Sequence, residues 1–182
     1  MSLEKNILII IPNNQFNDDE LFGVIKILAD EGIRNVVLSK SGIEAPGMSR
    51  NRFQPDGTII DWNKQDGFCG KYSAIILIGG KGARKSLWDD PIIPQILVDH
   101  HRSGSIVGAL GSASVVLARA NLLTDDCAPP DDEFALNELK ELGVYCSENM
   151  IEESDRVITG RGREVAGEFA RRVVELIKEI DS

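Results

Sequence analysis

Side chains able to do chemistry are few in this sequence, and they fall just behind its apolar runs. Glu20 follows the run Ile7–Ile11. A carboxylate held at a crevice can move a proton or activate a nucleophile. The same residue fits an Asn-x-x-Glu capping box with Asn17, in a first helical turn where the macrodipole favours negative charge. Gly79–Gly80, with Gly82 close behind, ends another apolar run. Backbone N–H groups in such a turn can cradle an anion or form an oxyanion hole, because glycine lets a ligand approach closely. A plain tight turn is the alternative. The pattern is neither GxGxxG nor a Walker ending, so it gives no support for nucleotide binding.

Gly108-Ala-Leu-Gly-Ser-Ala-Ser114 reads as a buried strand turning abruptly into a helix, the way a nucleophile elbow is built. Ser112 is the literal nucleophile candidate, although GxSxG is absent, and helix capping is its competing role. A serine needs a neighbouring base. The two histidines, His100 and His101, precede this strand, roughly 20 Å of extended chain away. A Ser–His pair is therefore not expected. Asp125, Asp126, Asp131 and Asp132 crowd the next loop and read as solvated surface, with Asp131 or Asp132 able to cap the following helix. Cys127 stands among these acids, which would raise its thiol pKa rather than activate it. Cys69 and Cys146 read as small packed hydrophobes. Three cysteines without CxxC spacing and two adjacent histidines make neither a disulfide framework nor a zinc site, and no metal or cofactor is expected.

The elements that must position these residues alternate. Strands are expected at Lys5–Ile11, Asn35–Ser39, Ser73–Ile78 and Ser105–Leu110, with short ones at Thr58–Asp61, Val144–Cys146, Met150–Glu152 and Val157–Thr159. Helices are expected at Asn17–Gly32, where Leu21, Val24, Ile25 and Leu28 follow helical spacing, and over about Pro91–Arg102, Ser112–Asn121, Asp132–Leu142 and Arg163–Ile180. Such alternation predicts an α/β fold: a three-layer, doubly wound, mostly parallel sheet of flavodoxin-like type. Ligands then gather outside the carboxyl ends of the strands, here Pro12–Phe16, Gly79–Ala83 and Gly111–Ser114.

Length and charge set the outer limits. The 182 residues fit one domain, 1–182, and the 42% hydrophobic and 27% charged composition is that of a globular chain. A net charge of −9 leaves no electrostatic footprint for nucleic acid or an anionic membrane. Apolar runs fall far short of the ~20 residues of a bilayer span. Glu4 precedes the first run and no small-residue cleavage signal follows, so no secretory peptide is expected. The expectation is a reduced, cytoplasmic protein.

Four segments together resemble the ThiJ/PfpI (DJ-one-like) family of the class I glutamine-amidotransferase-like fold. They are Phe16-Asn-Asp-Asp-Glu20 with Gly32; Ile76-Leu-Ile-Gly-Gly80 with Gly82–Ala83; Leu117-Ala-Arg-Ala-Asn-Leu-Leu123; and Tyr145-Cys-Ser-Glu-Asn149 with Val157-Ile-Thr-Gly-Arg-Gly162 running into Phe169–Ala170. The resemblance implies that Glu20 is the family's acid beside a reactive cysteine and that Gly80 supplies an oxyanion N–H. It implies that the cysteine position falls at Gly111, followed by Ser112. The partner position, often histidine or aromatic, falls at Asp131 on an ungapped path or at Ala128 with a gap. A homodimer is implied as well. Glycine cannot form a covalent intermediate, so the expected function is a small-ligand-binding or regulatory, stress-related homologue without the usual thiol catalysis. The alternatives are a hydrolase, glyoxalase-like or intracellular-protease-type enzyme using Glu20 with Asp131 or Ser112, and one that recruits Cys127.

Overall fold

The computed structural model describes residues 5–182; Glu4, on which the expectation about a leader rests, lies outside them. The first strand, β1 (Asn6–Ile10), is buried at every position. It leads into α1 (Asp18–Asp30) and β2 (Arg34–Ser39). A small side hairpin, β3 (Ala45–Pro46) and β4 (Arg52–Phe53), precedes the edge strand β5 (Gly57–Thr58). Then come β6 (Ala74–Leu77), the single turn α2 (Ala83–Ser86), α3 (Ile93–Arg102) and β7 (Ile106–Leu110). The chain continues through α4 (Ser114–Arg119) and α5 (Glu133–Glu141) to the hairpin β8 (Ile151–Ser154) and β9 (Val157–Gly160), and ends in α6 (Ala166–Asp181).

Seven strands form one sheet in the order β5-β2-β1-β6-β7-β9-β8. All neighbours are parallel except β8, which runs antiparallel to β9. Both faces are covered, which explains why the central strands are continuous apolar runs rather than alternating ones. Leu8, Ile10, Leu77, Val107 and Ala109 meet the side chains of α3, α4 and α5 on one face. Ile7, Ile9 and Ile76 meet Leu21 and Val24 of α1 and Phe169 and Val173 of α6 on the other. The expected three-layer architecture is therefore present. From β1 the chain first winds outward to β2 and later returns to β6 on the other side, so the strand order switches between β1 and β6. Ligand crevices in open α/β sheets open at such a switch.

Several local expectations change. Thr58–Asp61 is not a strand: the edge strand stops at Thr58 and Ile59–Lys64 coils into a 3₁₀ segment, burying Ile59 and leaving little sheet edge to pair. Val144–Cys146 makes only an isolated bridge, Cys146 opposite Cys127, because the chain leaves that register at once. The helix expected from Ser112 begins as a 3₁₀ turn, Gly111–Ala113, and becomes α-helical at Ser114. Cys69 is exposed rather than packed. Among the described residues, no helix is long and apolar enough to cross a membrane.

Gly108 of β7 lies tight under α6: an added Cβ would stand 2.8 Å from both Ile158 Cγ2 and Phe169 Cζ. Gly108→Ala should therefore overpack the core and lose about 1–3 kcal/mol in a urea titration; an unchanged midpoint would show that the helix retreats freely.

Candidate functional site

Three loops at the strand switch build the site, and hydrogen bonds from backbone and side chains between them hold it. Asn17 caps α1, its Oδ1 accepting the Glu20 N–H at 3.1 Å. A complete capping box would turn the Glu20 carboxyl back onto the Asn17 N–H. That N–H instead donates to the Gly79 carbonyl at 2.9 Å, and Glu20 Oε1 accepts the Gly79 N–H at 2.8 Å. The capping expectation is thus half met: Asn17 caps, while Glu20, only 1% exposed, reaches across to the turn behind β6.

Gly111 is the elbow between β7 and its 3₁₀ turn, at φ +54°. A Cβ built there would lie 3.0 Å from Glu20 Oε2, 3.4 Å from Asp131 Oδ1 and 3.6 Å from the Arg161 carbonyl. The next residue, Ser112, does not cap α4; Ala113 holds the N-cap position without a side-chain bond. Its hydroxyl instead donates to the Gly80 carbonyl at 2.9 Å and accepts the Gly80 N–H at 3.1 Å. The N–H expected to serve an oxyanion is therefore held by the serine. Gly80 sits at φ +112°, where a Cβ would meet the Gln15 carbonyl at 2.3 Å, so the turn admits only glycine. Trp88 Nε1 donates to the Ser112 carbonyl at 2.9 Å and fixes the elbow from the other side.

Above these residues opens a cavity of about 690 Å³. Glu20 and Ser112 lie buried at its inner end and Trp88 along its wall. Asp131, Asp132, Glu133 and Phe134 form one side, with Arg84 stacked over the Phe134 ring at 5.2 Å. Exposed Lys81, Arg84, Lys85 and Arg163 line its outer part, beside the exposed Glu164. Among the described residues, none of these four cations has a carboxylate within salt-bridge distance.

Burial pushes the Glu20 carboxyl up to about 8. The Gly79 N–H opposes that shift, while the charges of Asp131 and Asp19 add to it. Glu20 is therefore mostly protonated at neutral pH. Asp131, open to solvent at the cavity wall, also rises above the usual carboxylate range, first from partial desolvation and then from Glu164, with Arg161 pulling it down.

Glu20, Gly79, Gly80, Gly111, Ser112 and Asp131 thus converge on one crevice. Asp132 takes the capping role, its Oδ1 accepting the Ala135 N–H at 3.0 Å, which leaves Asp131 turned to the elbow. Ala128 instead donates its N–H to Thr159 Oγ1 at 3.0 Å, away from the cavity lining. Cys127 is buried against the 145–147 segment, so it cannot be the recruited nucleophile, and burial rather than the neighbouring acids pushes its thiol up to about 12. His100 is buried between Trp62 and Tyr72. Sequence reasoning missed Trp88, which carries no signal beyond an apolar position. It also missed the cationic mouth, legible only as Lys81-x-x-Arg84-Lys85 directly after the glycine turn. Among the described residues, no three His, Cys, Asp or Glu side chains gather to hold a metal.

The profile of the DJ-1/PfpI family matches residues 5–176. The chain belongs to the DJ-1/PfpI family. An uncharacterized protein of Methanocaldococcus jannaschii is 29% identical over 175 residues, covering 95% of this chain and 82% of that protein. A glutathione-independent glyoxalase of Caenorhabditis elegans is 25% identical over 178 residues, covering 98% and 91%. The crystal structure of a ThiJ/PfpI domain protein from Brachyspira murdochii superposes with a TM-score of 0.85 at 22% identity, covering 96% of each chain. Drosophila melanogaster DJ-1beta superposes at 0.76 with 19% identity, covering 97% of this chain and 95% of that one. These structures share the family fold.

The raised Glu20 pKa has a thermodynamic signature. Between the ordinary 4.5 and about 8, the native state keeps a proton that the unfolded chain has lost, so stability falls as pH rises through that window. Glu20→Gln keeps an acceptor for Gly79 and removes this slope. The variant should gain on the wild type by on the order of 1–3 kcal/mol between about pH 5 and pH 8 in urea titrations; parallel pH profiles would show that Glu20 ionises normally.

Proposed function

We propose that this chain is a small-molecule-binding member of its family that works without a thiol nucleophile. The reading rests on one observation: Glu20, Ser112 and Asp131 line the cavity, and none of the three cysteines does. Where the family resemblance implies a reactive cysteine, Gly111 puts no side chain between the Glu20 and Asp131 carboxyls. A protonated Glu20 donates a hydrogen bond to a carbonyl or carboxylate oxygen entering that space. The Trp88 and Phe134 rings cover the apolar body of the ligand, and the cations at the mouth favour negative charge. A homodimer and a cytoplasmic setting belong to the same proposal; sedimentation of the purified chain tests the first.

A second reading is carried by the two carboxyls flanking the Cβ position of Gly111. A water held between the two would meet one carboxyl that is mostly protonated and one that is open to solvent, a pairing able to act as acid and base. The named activity of the C. elegans relative makes methylglyoxal the first substrate to try.

The test compares wild type and Gly111→Cys for methylglyoxal and peptide turnover, before and after thiol alkylation. A cysteine at positive φ costs about 1–2 kcal/mol, and the variant should fold and bear a titratable thiol facing Glu20. Ligand-induced thermal stabilisation without turnover in the wild type, and alkylation-sensitive turnover in Gly111→Cys, are expected. Wild-type turnover that survives alkylation and disappears in Glu20→Gln would favour the carboxyl mechanism.

A further inference from the structure

Two of the three cysteines, 19 positions apart in sequence, are brought face to face by the fold. Cys127 donates its N–H to the Tyr145 carbonyl and accepts the Ser147 N–H on its own carbonyl, both at 3.0 Å. This makes a parallel bridge in which Cys127 stands opposite Cys146. Adjacent strands lie about 4.8 Å apart, and directly opposed residues of a parallel pair point to the same face. That spacing is inside the roughly 4.4–6.8 Å between Cα atoms that a disulfide spans. Both thiols are free and interact directly.

What the pair encloses gives it consequence. The segment between the two cysteines carries Asp131, Asp132, Glu133 and Phe134, one side of the cavity, together with the rest of α5. We propose that Cys127 and Cys146 form a reversible disulfide that staples the base of this cavity wall, with a small disulfide of the oxidised-glutathione class as co-reactant. Cys146, the more accessible of the two, loses its proton and attacks one sulfur of the small disulfide, and one small thiol leaves. Cys127 then loses its proton and attacks Sγ of Cys146 in the mixed disulfide, and the second small thiol leaves. Two protein thiols are oxidised to one disulfide, and the small disulfide is reduced to two thiols that carry the protons away. A buried thiol attacks slowly because little of it is thiolate, so closure is slow and selective for prolonged oxidation.

The test uses the full chain in a Cys69→Ser background, since Cys69 is exposed and would pair between molecules. After incubation with excess oxidised glutathione at mildly alkaline pH, intact mass should show two hydrogens lost per chain, with no adduct retained. Peptide mapping should link Cys127 to Cys146, and amide exchange across 128–145 should slow several-fold. Cys127→Ser should stop at a stable glutathione adduct on Cys146. A wild-type adduct that never resolves, or thiols that stay free throughout, would overturn the disulfide. Faster exchange in the cross-linked chain would overturn the stapling. Both readouts come from the Cys69→Ser chain itself, so they stand even where Cys127→Ser fails to fold.

Discussion

Burial of the Glu20 carboxyl at the strand switch is the constraint on which the rest of the site depends. Asn17 and Glu20 bind the same glycine in both senses, one giving an N–H to its carbonyl and the other taking its N–H. This exchange ties the start of α1 to the turn behind β6. An acid so deeply enclosed cannot ionise easily, and the turn that encloses it tolerates only glycine at position 80. Ser112 and Trp88 then extend the same tie to the elbow behind β7. Three loops that meet nowhere in sequence are locked by a backbone bond and a few side-chain-to-backbone bonds around one protonated carboxyl.

The electrostatic layout follows. The chain carries a net charge of −9, yet cations line the outer part of the cavity and its inner end holds an acid that is neutral at physiological pH. That mixed lining, cations set against an acidic wall, is the electrostatic part of the ligand-binding proposal. Family membership sets the scaffold, and the side chains at the crevice decide the chemistry. Here those side chains are carboxyls, a hydroxyl already engaged with Gly80, and an elbow that bears no side chain.

Much of the fold was legible before the structure. The long apolar runs of β1, β6 and β7 announced central parallel strands because both of their faces are buried. The helical spacing of Leu21, Val24 and Leu28 announced α1. The misreadings share one cause. Thr58–Asp61 and Val144–Cys146 are short, and short segments take their conformation from what lies beside them; Ile59 is drawn into the core and Cys146 pairs only as long as its neighbour stays in register. The candidate residues named from the sequence lie together at one crevice, whereas the contacts they make there differ from those expected. Ser112 looked like a cap and holds Gly80. Glu20 looked like half of a capping box and reaches the far loop.

The sequence by itself determined the alternation of elements, the acidic balance, the positions of the crevice-facing turns and the absence of a side chain at residue 111. Each of these is a property of local composition and spacing. Tertiary structure alone decided that Glu20 stays protonated, that Trp88 supports the elbow, that four cations share one mouth, and that Cys127 meets Cys146. Desolvation and through-space contact depend on which distant segments pack together, and no local pattern of residues carries that information.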